Sequence, residues 1–460
     1  METESEVDSS KGTGSMFTES NQPRKEAQMR PNEANMTAPK PILSAVLEKE
    51  NLNKAWRAVR ANKGAPGPDG RDIVDTMAHI RNHWESIDGK LRAGDYKPGP
   101  VRAVTIPKPN GGERTLGVPN VQDRWLQQAI HQKLSERCEP FFSEHSYGFR
   151  PNRSAHDAVR AGQKFVQAGK RYVVDIDLKS FFDEVDHDKL MQLVGHHVED
   201  KSLKQLIGAI LRAPIQRADG SRYKRGKGTP QGGPLSPLLA NIYLDPLDKE
   251  LEKRGLSSVR YADDVAIFVS SPRSAERVLA SITEWIEKHL KVPVNREKST
   301  SGPTEASALL GYRIQADGTT VIAPKSLKRM KTRVRELWDA RQSLTSNQLR
   351  DQWCRYIRGW WNYFHLTERS WDVEDLSGWI RRHIRKCFWL RWKTPRGRLN
   401  ALRRLGINNR ARGLAYSGLG AWRIARLWQM NQALSNKRLR KYGFILPWSF
   451  AGAGAAKCKA

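Results

Sequence analysis

The sequence has 460 residues and a formal net charge of +30, from 79 Lys+Arg against 49 Asp+Glu. That length allows several domains with real cores, and the charge points to a polyanionic partner. No apolar run reaches the roughly 18 residues a membrane span needs, and the N-terminus lacks the make-up of a secretion signal. The four cysteines (Cys138, Cys354, Cys387, Cys458) show no Cys-x-x-Cys spacing, which excludes a zinc module and a disulfide framework and suits a reducing cytoplasm.

Met1 to Pro41 is rich in Ser, Glu, Gln, Asn and Pro and is expected to be disordered. From Ile42 a helical stripe begins, with Leu43, Val46, Leu47, Trp56 and Val59 on one face, and the turn cluster Gly64 to Gly70 ends it. Val101 to Lys108 alternates as a strand, Pro109-Asn110-Gly111-Gly112 turns, and Glu113 to Pro119 returns. This hairpin would bring Lys108 and Arg114 near each other. Val121 to Pro140 reads as a helix, Ser146 to Pro151 as a loop, and Ser154-Ala155-His156-Asp157 as a helix start of the capping-box type.

Arg171 to Asp183 is a β-rich run ending in carboxylates, with Asp175 and Asp177 on one face and Val174 and Ile176 on the other. Gly228 to Pro237 is an irregular loop entering a helix at Leu238, carrying Gln231. Val259 to Val269 is β-rich on both sides of Asp263 and Asp264, and adjacent strand residues face opposite ways. The two carboxylates can therefore converge only at the tip of a hairpin. Framed by apolar arms, they call for a hard cation. A third Asp from the upstream strand would complete a site for two metals about 3.5–4 Å apart, the arrangement of in-line nucleotidyl transfer.

A helix is expected over Ser274 to Leu290 and, after Pro324, a set of amphipathic helices: one with the stripe Leu327, Met330, Val334, Leu337 and Trp338, then Gln352 to Phe364 and Val373 to Trp392. From Val321 to Ala460 there are 31 Lys+Arg against 7 Asp+Glu, and no acidic residue follows Asp375. The same stretch holds 11 of the 15 Trp. A folded basic surface is expected there, with most of the aromatic residues in its core.

Tyr-Ala-Asp-Asp at 261–264, the upstream Asp177 and the run Pro-Gln-Gly-Gly-Pro-Leu-Ser-Pro at 230–237, in this order, resemble the palm of the reverse transcriptases encoded by group II introns. Arg358 to Phe364 resembles the X, or maturase, segment that separates this family from retroviral, retron and telomerase enzymes, and Thr394 to Tyr442 looks like its DNA-binding D region. The resemblance implies an α+β right-hand polymerase: fingers and palm over 42–320, a helical thumb/X domain over 321–393, a D-like region over 394–445 and a tail over 446–460. No Cys-pair, His-Asn-His endonuclease module is expected to follow.

By the same resemblance, Asp177 rather than Asp175 joins Asp263 and Asp264 in holding two Mg²⁺, and Lys298 is the general acid to pyrophosphate. Lys108 and Arg114 grip the triphosphate, Leu178 and Gln231 meet the nucleotide, and Phe182 excludes a 2′-hydroxyl. Arg150, Tyr261, Gly311 and Tyr312 serve template or primer. The implied partners are intron RNA, target DNA with its primer, and dNTPs, in a bacterial cytoplasm near the nucleoid and without a membrane. Two rival expectations are a relative recruited to defence or CRISPR adaptation, against which the X-like segment counts, and an RNA-binding splicing factor with a dead palm, against which three intact carboxylates count.

Overall fold

The computed structural model describes residues 42–107, 113–368 and 370–447, with Arg114 placed only by its strand position. The expected tail before Ile42, Lys108 and the residues from Trp448 on lie outside it. The chain forms two compact units: residues up to Ser154 with Val174–Ile267 and Glu276–Thr300, and Ala155–Val173 with Phe268–Ala275 and the residues from Ser301 on.

In the first unit the stripe from Ile42 is carried by two helices, Ile42–Val46 and Lys49–Ala61, which bury Leu43, Val46, Leu52, Ala55, Trp56 and Val59. They pack on the helix Val121–Cys138. Its Trp125 is fully buried, donates its indole N–H to Leu52 O at 2.9 Å, and meets Trp56 edge-on at 6.4 Å. Such an aromatic contact adds to the area it buries. The strands Val101–Pro107 and Glu113–Val118 pair antiparallel from Arg102↔Val118 to Pro107↔Glu113. Their sheet is completed by Ile215–Gln216 and Arg222–Tyr223, which at two residues each are too short to leave a periodic signal.

A second sheet runs in the order Ser257–Tyr261, Asp264–Val269, Tyr172–Asp177, Thr300–Pro303. Val265 to Val269 are all buried, so this strand is covered on both faces and reads as a continuous apolar run. The helix Ser236–Lys253 starts two residues earlier than expected, with Pro237 in the first turn, where a missing N–H is harmless.

The second unit contains the helices Pro324–Leu337, Ser346–Phe364 and Ser370–Arg391. The middle one begins six residues before the expected Gln352, because Thr345 and Gln348 form a reciprocal capping box. Five short helices follow between Pro395 and Lys441. They have no core of their own. Leu402, Ile407, Leu414, Ile424, Met430, Leu439 and Phe444 share one cluster with Met330, Val334, Trp353, Ile380, Ile384 and Trp389. Trp353 donates its indole N–H to Ile445 O at 2.7 Å, and the buried Arg385 donates to Leu434 O at 3.0 Å. The thumb/X and D-like stretches are thus one folded body. Trp338, Trp353, Trp361 and Trp389 are buried in it. Among the described residues no helix is long and apolar enough to cross a membrane.

Candidate active site

The strands Ser257–Tyr261 and Asp264–Val269 are hydrogen-bonded neighbours, so Ala262 and Asp263 form the tip of a tight hairpin, as the Asp-Asp pair requires. Ala262 has φ 58, a left-handed conformation uncommon for a residue with a Cβ. Strain of this kind, on the order of 1–3 kcal/mol, persists only where the surroundings fix it. Here Arg260 fixes it. Its guanidinium is buried and paired with Asp248 at 2.6 Å, and it also donates to Ala262 O (2.9 Å), Asn241 Oδ1 (3.0 Å) and Ser146 Oγ (2.8 Å). Asn241 in turn donates to Gly148 O at 2.9 Å. A Cβ on Gly148 would stand 2.3 Å from Ala262 N, so only glycine lets the Tyr147–Arg150 loop lie against the tip.

Asp177 ends its strand with its N–H donating to Ser299 Oγ (3.0 Å) and its carbonyl accepting from Asn295 N–H (2.9 Å). Lys298 Nζ stands 3.6 Å from Asp177 Oδ2 with both side chains well exposed. The pair therefore adds little stability, but it places the expected acid beside the expected ligand. Asp264 touches solvent, yet the protein packed around it and then the fields of Asp263, Asp177 and Asp175 push its pKa up to about 6. Among the described residues no three His, Cys, Asp or Glu side chains are already gathered at ligand spacing. What the carboxylates do form is a mutually repelling oxygen cluster, and its chemistry fits a divalent cation.

A pH dependence follows. The folded-state pKa of Asp264, about 6, lies above the ordinary 3.8, so its contribution to stability falls as pH rises through that window. In metal-free protein Asp264→Asn should raise Tm at about pH 7, with the gain vanishing near pH 4. Equal melting curves of the two proteins at both pH values would mean that the cluster does not repel as described.

Opposite the tip, Phe181 is buried against Tyr243 while Phe182 is half-exposed, so Phe182 is the ring available to a ligand. The Gln231 loop lies on the fingers strand: Gly117 N–H donates to Gln231 O at 2.7 Å, and a Cβ on Gly232 (φ 131) would fall 2.4 Å from Gly117 O. Phe149, Phe182, Gln231, Tyr261, Asp263 and Asp264 line one cleft of about 640 Å³.

Three expectations are corrected. Arg150 does not face a template: it is buried and bound to Glu139 (2.8 Å) and to the carbonyls of Ser143 and Ser146. Leu178 is 3% exposed, so its side chain cannot line a nucleotide cleft. Tyr312 is fully buried and its hydroxyl bonds Tyr363 O. In the turn expected to serve the primer, Leu310 (φ 49) and Gly311 (φ 84) take left-handed conformations, and Gly311 O accepts from Ala323 N–H at 2.9 Å. Arg114 pairs in register with Ile106. The sequence reading missed Arg260, Asp248, Asn241 and Phe149. A lone Arg inside the apolar strand before Tyr-Ala-Asp-Asp was the available signal for the first.

Residues 106–314 match the reverse transcriptase (RNA-dependent DNA polymerase) family, and residues 327–406 match the group II intron maturase-specific domain. Protein YkfC of Escherichia coli is 31% identical over 316 residues, covering 59% of this chain and 82% of that protein. The chain belongs to the group II intron reverse transcriptase and maturase family. The RNA-directed DNA polymerase class and the right-hand polymerase fold come with that membership, as does the family's use of divalent metal ions and intron RNA. Group II intron-encoded protein LtrA of Lactococcus lactis is 34% identical over 262 residues, 56% of this chain and 41% of that protein. A putative COX1/OXI3 intron 2 protein of Saccharomyces cerevisiae is 26% identical over 60% of this chain. The chain thus spans most of the first relative but 41% and 39% of the other two.

Proposed function

We propose that this group II family member copies intron RNA into DNA at the cleft below the Tyr-Ala-Asp-Asp tip, and holds that RNA on the basic surface of its second unit to assist splicing. The observation that carries the reading is the convergence of Phe182, Gln231, Asp263 and Asp264 on one cleft, with Asp177 close enough to raise the pKa of Asp264. Asp177, Asp263 and Asp264 would hold two Mg²⁺, which when bound supply charge neutralisation at the attacking 3′-hydroxyl and the leaving pyrophosphate.

The chain's own groups do the rest. The half-exposed ring of Phe182 limits space beneath the sugar. The Gln231 loop, held on the fingers strand, fixes one wall of the cleft. Lys298, with its side chain well exposed beside Asp177, is placed to deliver a proton to pyrophosphate. Lys108 and Arg114 balance triphosphate charge. A DNA 3′ end at a target site serves as primer, and the cytoplasm is the expected setting.

The direct test is extension of a DNA primer on an RNA template by purified protein with dNTPs, with and without Mg²⁺. No extension under any divalent cation would sink the polymerase reading. Phe182→Ala should raise the rNTP-to-dNTP incorporation ratio by about tenfold or more, the size of one steric discrimination of roughly 1–3 kcal/mol; an unchanged ratio in active enzyme returns Phe182 to a packing role. RNA affinity should fall steeply with salt, by about 10³ or more between 50 and 200 mM if six or more phosphates are contacted. A flat salt series would remove the electrostatic account.

A further inference from the structure

Phe149 is an exposed aromatic that none of these roles uses. The residue is 51% exposed and borders the cleft that holds Phe182, Gln231, Asp263 and Asp264. The ring centroid lies 6.4 Å from that of Tyr261 with the planes tilted by 38°, so neither ring covers the other. The backbone of Phe149 has φ 58, a genuine outlier for a bulky side chain.

A loop free to relax would abandon that conformation and turn the ring inward. This one is fixed on both sides. Before Phe149, Tyr147 N–H donates to Arg260 O (2.8 Å), Asn241 holds Gly148 O (2.9 Å), and Gly148 sits hard against Ala262 N. After it, the buried Arg150 is tied to Glu139 and to two backbone carbonyls. The strain is therefore held in place, and its product is an apolar plane presented to the cleft beside the carboxylates. Such a plane matches a flat, uncharged group. A phosphate would lose its hydration against it with nothing in return.

We propose that Phe149 is a nucleotide-binding residue whose ring packs on the nucleobase of the nucleotide entering the cleft, an assignment that rests on the polymerase reading above. The test is steady-state primer extension on an RNA template by Phe149→Ala, Phe149→Gly and Phe149→Tyr beside the wild type, with Tm measured on each. Ala and Gly should raise KM for dNTP at least about tenfold, the usual weight of one base–aromatic stack, with kcat within about twofold; Tyr should restore KM. Glycine adopts φ 58 without strain, so Phe149→Gly should melt at or above the wild-type temperature while still binding nucleotide poorly. A structural ring would do the opposite. An unchanged KM in Phe149→Gly, a Tyr variant as impaired as Ala, or a lowered Tm with unchanged KM overturns the assignment. Failure of the wild type itself to extend a primer would overturn the polymerase reading and this assignment with it.

Discussion

Replacing Asp263 with Asn should lower RNA-templated DNA synthesis about a thousandfold while leaving RNA binding and assisted splicing in place. The side chain keeps its size and its position at the hairpin tip, so the fold around Arg260 is undisturbed. What is lost is one negative charge from the cluster of Asp175, Asp177, Asp263 and Asp264. Metal-centred charge stabilisation of several kcal/mol converts to about three powers of ten in rate. In the function proposed above, splicing assistance would draw on the basic second unit, where no acidic residue follows Asp375, and the change would remove no phosphate contact. Measuring cDNA yield and low-Mg²⁺ splicing on the same preparation decides the matter. A folded, RNA-bound Asp263→Asn protein that no longer splices would show that the two activities are not separable.

Arg260→Ala should cost about 3–5 kcal/mol of stability, because it leaves Asp248 buried, charged and unpaired. The side chains of this pair are 1% and 2% exposed. The loss should appear as a lower denaturation midpoint at constant slope. Replacing both partners, Arg260→Met with Asp248→Leu, should recover much of it, since an apolar pair of similar volume removes the stranded charge. The double variant should nevertheless polymerise slowly. Its tip has lost the donors to Ala262 O and Ser146 Oγ, and Asp263 follows directly on that strained turn. A double variant with wild-type rate would mean that the tip holds its shape without the guanidinium.

The hairpin could be read from sequence because it is local: β-branched and aromatic residues flank two carboxylates that only a turn can bring together. The Gln231 loop and the thumb helices were legible for the same reason, through prolines, glycines and the 3.6-residue stripe. What escaped depends on distant partners. Arg150 reads as a contact for template until Glu139 and two carbonyls are seen around it. Tyr312 reads as a ring at an exposed turn, although its hydroxyl is spent 51 residues away on Tyr363. Phe149 reads only as part of the Ser146–Pro151 loop, because its exposure is a product of backbone strain, which leaves no mark on composition. The shared core of the second unit was not legible because it joins helices before and after Thr394 through contacts far apart in sequence.

That shared core has a consequence for how such proteins can diverge. Segments that fold independently can be exchanged between relatives like cassettes. Here a recombination breakpoint near Thr394 would part Trp353 from the carbonyl of Ile445, Arg385 from that of Leu434, and the apolar faces of Leu402, Met430 and Leu439 from the helices they cover. A chimera joined there exposes an apolar surface on one side and leaves buried donors without acceptors on the other. On this packing the maturase helices and the basic segment that follows them would have to be exchanged as one piece, and change would be confined to substitutions on the outer face, around a core that stays the same.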